Sequence, residues 1–202
     1  MRYEATSFVE SIDVGKHVVY FYEKLEYALM IQFQFIKNGL SRGHQCIYAM
    51  PGDTKSIADQ MAYSGVLVEE FKKKNLLHFY QIPNVMVDPD GALKGSEKIM
   101  NKIFANVKPP FRVVSALVPE INSDVQMAAA IDIERNIHSS FSNLHCSWLC
   151  PYDLEKIEDG RKEVFMDKVM QNHHAVISAN KYGLGLAFDV PKPPERPEIK
   201  DL

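Results

Sequence analysis

Residues 33–66 read FQFIKNGLSRGHQCIYAMPGDTKSIADQMAYSGV, and the local patterns in this stretch decide the fold class. Leu25, Leu29, Phe33 and Ile36 recur at helical spacing up to Asn38-Gly39, a favourable helix stop. Cys46-Ile-Tyr-Ala-Met50 then forms a short, strand-like apolar run. It closes on the turn signal Pro51-Gly52-Asp53, where Asp53 is placed to cap a helix carrying Ile57, Ala58 and Met61. Helix, strand and helix in so short a span is the rhythm of a parallel sheet with crossover helices.

The alternation continues in both directions. Upstream, after a polar lead-in, His17-Val-Val-Tyr-Phe-Tyr22 is a β-branched and aromatic run of strand length. Downstream, strands are predicted at Leu76 to Tyr80, Phe111 to Val118, His145 to Cys150, Ala175 to Ser178 and Leu184 to Phe188. Helices are predicted near Gly91 to Asn106, Ser123 to Phe141 and Arg161 to Asn172. The expected architecture is α/β: a three-layer, doubly wound, mostly parallel sheet, whose edge strands, such as Leu184 to Phe188, are free to run antiparallel. Residues 1–190 are read as one domain. Residues 191–202, PKPPERPEIKDL, hold four of the 11 prolines and are read as a flexible tail. The segment Asp88 to Gly95, with Pro89 and Gly91, is the expected mobile loop, and no internal repeat is found.

Composition narrows the partners. With 202 residues, 46% hydrophobic and 24% charged, the chain is globular in type and long enough for a sizeable core. Its 23 basic against 26 acidic side chains, net −3, argue against nucleic acid as a direct partner. No apolar stretch approaches the length of a membrane span, and Glu4, Glu10 and Asp13 stand where a signal peptide would be basic and then apolar, so a cytoplasmic, soluble protein is expected. Cys46, Cys146 and Cys150 are an odd set without an export signal and are read as reduced thiols.

The stretch 33–66 resembles the helix, Gly-x-x-x-Gly turn, strand and helix that follow the nucleotide loop in circadian-clock-type RecA-like ATPases. The wider layout, with His17 at the first strand, this segment, and the late Cys150-Pro-Tyr-Asp153 followed by His173-His174, is similar to the MEDS sensory domain over about residues 15 to 180. That family is named for methanogens, methylotrophs and a dichloromethane-responsive regulator. The resemblance implies an archaeal or bacterial sensory module with a RecA-like fold lacking nucleotide machinery. It departs from the ATPases at one decisive place: Tyr22-Glu-Lys-Leu-Glu-Tyr-Ala-Leu29 stands where Gly-x-x-x-x-Gly-Lys-Ser/Thr would cradle phosphate. No glycine is present there, and Glu23 and Glu26 add negative charge. Ser115 stands where a RecA-like metal-holding Asp would be expected. A pseudo-ATPase, with no ATP hydrolysis and no enzyme activity, is the expectation.

In open α/β sheets ligands bind beyond the carboxyl ends of the strands. That rule nominates Tyr22, Glu23, Tyr80, Glu120, Cys150, Tyr152 and Asp153 as the wall of a pocket for a small organic ligand. Glu134 joins them: Ala130, Ile131, Ile137 and His138 share its helix face, so it is expected to be half buried, and a buried carboxylate requires a partner. His17, His173 and His174 are assigned to strand beginnings and to structure. Cys146 and Cys150 are too far apart along a strand to share a metal, so no metal or cofactor is expected. The chain is read as a stand-alone sensory module that signals through a separate protein or through a homo-oligomer, since no helix-turn-helix or kinase segment fits its length. The alternative is a protein-interaction or oligomerisation module with a vestigial site.

Overall fold

One eight-stranded sheet runs through the computed structural model, which describes residues 2–191. In chain order the elements are β1 (Arg2–Glu4), α1 (Ala5–Ser11), β2 (His17–Tyr22), α2 (Leu25–Ser41), β3 (Gln45–Met50), α3 (Thr54–Tyr63), α4 (Val68–Lys73), β4 (Leu77–Gln81), α5 (Ala92–Phe104), β5 (Phe111–Ser115), α6 (Asp124–Ser140), β6 (Cys146–Asp153), α7 (Asp159–Met170), β7 (Ala175–Ser178) and β8 (Leu186–Asp189). Across the sheet they lie β1-β8-β7-β2-β6-β5-β3-β4. From β7 to β4 every pairing is parallel, while β8 runs antiparallel to both of its neighbours, β7 and β1.

The residues of the central strands account for their place. All six of β2 are buried, because a strand covered by helices on both faces must be apolar on both. Val19 and Phe21 join Trp148, Cys150 and Tyr152 of β6 in one core, under α5, α6 and α7. Val18, Tyr20 and Tyr22 join Leu149 in the other, under α1, α2 and α3. The crossovers therefore wind both ways, as expected of a doubly wound sheet. Asp53 caps α3, accepting from the backbone N–H groups of Lys55 and Ser56. Between β2 and α2 lie only Glu23 and Lys24.

A charged side chain is buried in the α1/α2 core. Arg112 of β5 donates to the carbonyls of Phe35, at 2.9 Å, and Ile12, and its guanidinium lies 4.8 Å from the Phe35 ring centre. Gly39 makes the room: a Cβ there would stand 2.5 Å from the Arg112 Cδ.

Three expectations are corrected. The strand His17–Tyr22, placed first by the sequence reading, is the second, because the lead-in forms β1, paired with β8, and α1, which buries Ala5, Phe8 and Val9. The segment Asp88 to Gly95 is not a free loop: Lys98 bonds both Asp88 and Asp90, the Gly91 N–H donates to Asp88, and Gly95 already lies within α5. The strand predicted to end at Val118 stops at Ser115. Apart from Pro191, the predicted tail lies outside the described residues. Among the described residues no helix is long and apolar enough to cross a membrane.

Candidate functional site

The nominated residues fall into two groups. Along the carboxyl rim, Tyr22 and Asp153 are register partners, but Tyr22 packs against Tyr20 while Asp153 accepts from the Glu155 N–H and caps a short turn. Glu23 accepts from the Lys181 N–H, and Tyr80 lies beside His78 on the edge strand β4. Glu120 is half exposed, 3.9 Å from Lys156, and borders a small cavity of about 210 Å³ with Met86, Leu117 and Gln126. These five residues do not converge. The other three nominees, Glu134, Cys150 and Tyr152, meet inside the core beneath α6.

Helix α6 places Glu134 on the face that carries Ala130, Ile131 and Ile137 into the core, so the carboxylate is 3% exposed rather than half buried. Alternation along β6 points Cys146, Trp148, Cys150 and Tyr152 to that same side. The Tyr152 hydroxyl donates to Glu134 Oε1 at 2.6 Å. The other carboxylate oxygen, Oε2, is ringed by three groups: His17 Nε2 at 3.4 Å, His173 Nε2 at 3.4 Å and Cys150 Sγ at 3.5 Å. Cys150 Sγ also stands 3.4 Å from His17 Nε2. One ligating atom from each of His17, Glu134, Cys150 and His173 lies within 4.8 Å of the other three, and all four residues are buried.

Both imidazoles are held from behind. His173 Nδ1 is 2.8 Å from the Val169 carbonyl, an acceptor, so Nδ1 carries a proton there. His17 Nδ1 faces His138 Nδ1 at 3.4 Å, and the His17 and His173 rings stack with centres 3.9 Å apart. His174 accepts from the His17 N–H at 3.0 Å, and its ring packs on His138 and Phe141. Burial, reinforced by His173, drives His17 down to about 3, so its ring is neutral. Burial, reinforced by Glu134, raises the Cys150 thiol and the Tyr152 hydroxyl well above their ordinary values. For Glu134, burial pushes the carboxyl up, and only its contacts with His17 and His173 hold it low.

Sequence reasoning missed His17 and His173. His17 opens β2 as expected, whereas His173 and His174 precede β7 in a turn and not on a strand. Cys146 does stand outside the group, as its spacing from Cys150 requires, but ligand partners for Cys150 come from β2, α6 and the turn after α7. The signal available was parity: His17 and Cys150 face one side of two adjacent parallel strands. His173 and His138 also border a cavity of about 850 Å³ whose wall includes Lys16, His174 and Asp189.

The sheet order and crossovers define a RecA-like α/β protein. Two solved structures share the fold: a Pyrococcus horikoshii OT3 protein from a structural study (TM-score 0.59, 10% identity, 87% of each chain) and a KaiC-like protein of the same hyperthermophilic archaeon (TM-score 0.54, 15% identity, 84% of this chain and 73% of that one). The profile of the MEDS family, the methanogen/methylotroph, DcmR sensory domain, matches residues 16–174. The chain belongs to that family. No curated protein matches it.

Proposed function

We propose that this sensory domain binds a small organic ligand in the cavity of about 850 Å³ beside the Glu134 group, and that it does so without hydrolysing ATP. The observation that carries the reading is that His173 belongs both to the cavity wall and to the buried group. A ligand that shifts the turn bearing His173 also shifts contacts to β2, β6 and α6, which is what a sensor requires: differential contacts in two states. The volume suits a small metabolite, and a wall of imidazoles with Lys16, Asp189 and the Gln171 and Asn172 amides, closed by Val190 and Pro191, suits a polar one. Against nucleotide chemistry stands the Glu23-Lys24 connection, which offers carboxylate where a phosphate cradle needs glycine N–H groups.

Native mass spectrometry of the freshly purified chain tests the reading. A retained organic mass, lost on denaturation, is expected, and a bare chain that gains no mass from cell extract overturns it. Calorimetric titration with Mg-ATP is expected to give no tight binding; sub-micromolar affinity overturns the nucleotide part.

A second reading, an interaction or oligomerisation module, draws on a different feature. A groove of about 760 Å³ between α2 and α3 is lined by Leu29, Met30, Phe33 and Tyr63, with Tyr63 96% exposed. The same native spectrum counts subunits, and a stable oligomer without retained ligand favours this reading.

A further inference from the structure

We propose that His17, Glu134, Cys150 and His173 form a closed, four-ligand site for a borderline divalent metal ion of the zinc type. The inference deepens the reading of the same internal group as a sensing centre, and rests on that reading only for the use made of the site.

Distances carry the argument. A charge-assisted hydrogen bond from an imidazolium to a carboxylate is about 2.7–2.9 Å long. Both imidazole contacts to Glu134 Oε2 are 3.4 Å, too long for that bond. Around a tetrahedral zinc ion with bonds of about 2.0–2.3 Å, neighbouring ligand atoms lie about 3.3–3.6 Å apart. Four of the six separations among the ligand atoms, at 3.4, 3.4, 3.5 and 3.4 Å, match edges of such a tetrahedron, and all six lie within 4.8 Å, so ion binding draws the remaining pairs together.

The hydrogen-bond pattern agrees independently. With its proton on Nδ1 toward Val169, a neutral His173 presents a bare lone pair at Nε2, and that buried atom has no hydrogen-bond partner. In that tautomer it faces a carboxylate oxygen at 3.4 Å as acceptor against acceptor. A cation at the centre resolves the confrontation. The supporting contacts are those a metal site uses: a backbone carbonyl orients His173, and Tyr152 holds the far carboxylate oxygen. Among the described residues no Lys or Arg pairs with Glu134.

Donor chemistry selects the metal. Two imidazoles, one thiolate and one carboxylate suit zinc-like ions and not magnesium or calcium, which take oxygen ligands. Binding displaces the Cys150 proton to solvent as the thiolate–metal bond forms, without redox change. With four protein ligands and burial on all sides the site is closed, so the ion ties β2, α6, β6 and the turn after α7 together.

The test uses the full chain, reduced and stripped with chelator, then titrated with Zn²⁺ or Co²⁺. One ion per chain is expected, with a raised melting temperature, tetrahedral cobalt absorption in the visible and thiolate-to-cobalt charge transfer in the near ultraviolet. Cys150→Ser should abolish the charge-transfer band, and His173→Gln should weaken affinity at least tenfold, while Cys146→Ala keeps both. Circular dichroism establishes that each variant folds; wild type alone decides the matter if one does not. Failure of the wild type to bind either ion stoichiometrically overturns the proposal, as does a charge-transfer band that survives Cys150→Ser. A metal without a retained organic mass sinks the ligand reading alone, and the reverse sinks the metal alone.

Discussion

Each face of the sheet hides an ionisable group, and the two are satisfied in opposite ways. Under α1 and α2, Arg112 pairs with no carboxylate among the described residues; its two terminal nitrogens donate to backbone carbonyls and its guanidinium lies over the Phe35 ring, while the buried Nε has no partner. Its partners are main-chain carbonyls, one inside α2 and one just after α1, and burial lowers it only to about 10, so it stays charged. Under α6, Glu134 is surrounded by side chains, three of them beyond strong hydrogen-bond length from one oxygen. A cation whose terminal nitrogens are held by backbone carbonyls is built to stay as it is. One ringed by imidazole and thiol at 3.4–3.5 Å is built to take something in.

The comparison predicts, first, that Arg112 is structural and nothing more. Arg112→Ala leaves a cavity and strips two carbonyls of a donor, and is expected to cost about 3–5 kcal/mol in denaturant unfolding. Arg112→Met, which refills the stem without charge, should recover most of that, since apolar replacement of a buried ion is often nearly neutral. Neither variant should change metal stoichiometry. If Met is as damaging as Ala, the charge itself is needed and the contrast between the faces weakens.

Gly39→Ala sharpens the same face with a smaller effect. The new Cβ would lie 2.5 Å from Arg112 Cδ and 2.7 Å from Cys46 Sγ. Overpacking of this kind costs about 1–3 kcal/mol, partly offset by Ala's better helix propensity of about 1 kcal/mol. In the Arg112→Ala background the cost should shrink, because the worst neighbour is gone. Equal costs in both backgrounds, measured as a double-mutant cycle, would show that Cys46 sets the limit instead.

What could be read from the sequence follows the range of the forces involved. The strand His17–Tyr22 was legible because its continuous apolar run is set by burial on both faces, and the helix around Glu134 because its face repeats locally. The three-residue β1 and the six-residue α4 carry too few residues for any period to show; β1 exists through pairing with β8, far along the chain. The same limit hid half of the internal group. Glu134 stood out as a carboxylate on an apolar helix face, and Cys150 and Tyr152 were named only for a rim at the carboxyl ends, but His17 and His173 acquire a role only when β2 is laid beside β6 and the turn after α7 folds back over them. The rule that ligands bind at the carboxyl ends pointed to the rim, whereas the densest polar group lies in the core, nearer the other end of β2.

The smallest expected effect concerns that rim, and it bears on the comparison because Glu120 is a carboxylate in water where Glu134 is one in the core. Its contact with Lys156 is 3.9 Å long and both side chains are about half exposed, at 53% and 51%. Exposed pairs of this kind contribute about 0–1 kcal/mol, and surface polar swaps usually stay within about 0.5 kcal/mol. Glu120→Gln should therefore leave the melting curve of the apo chain almost unchanged. It should also leave unchanged the retained mass in a native spectrum, because the cavity that Glu120 borders is about 210 Å³ against about 850 Å³ beside His173. Loss of a retained ligand in this variant, with stability intact, would move the sensing site from the histidine-walled cavity to the carboxyl rim. The buried Glu134 group would then serve the fold, as Arg112 does on the other face.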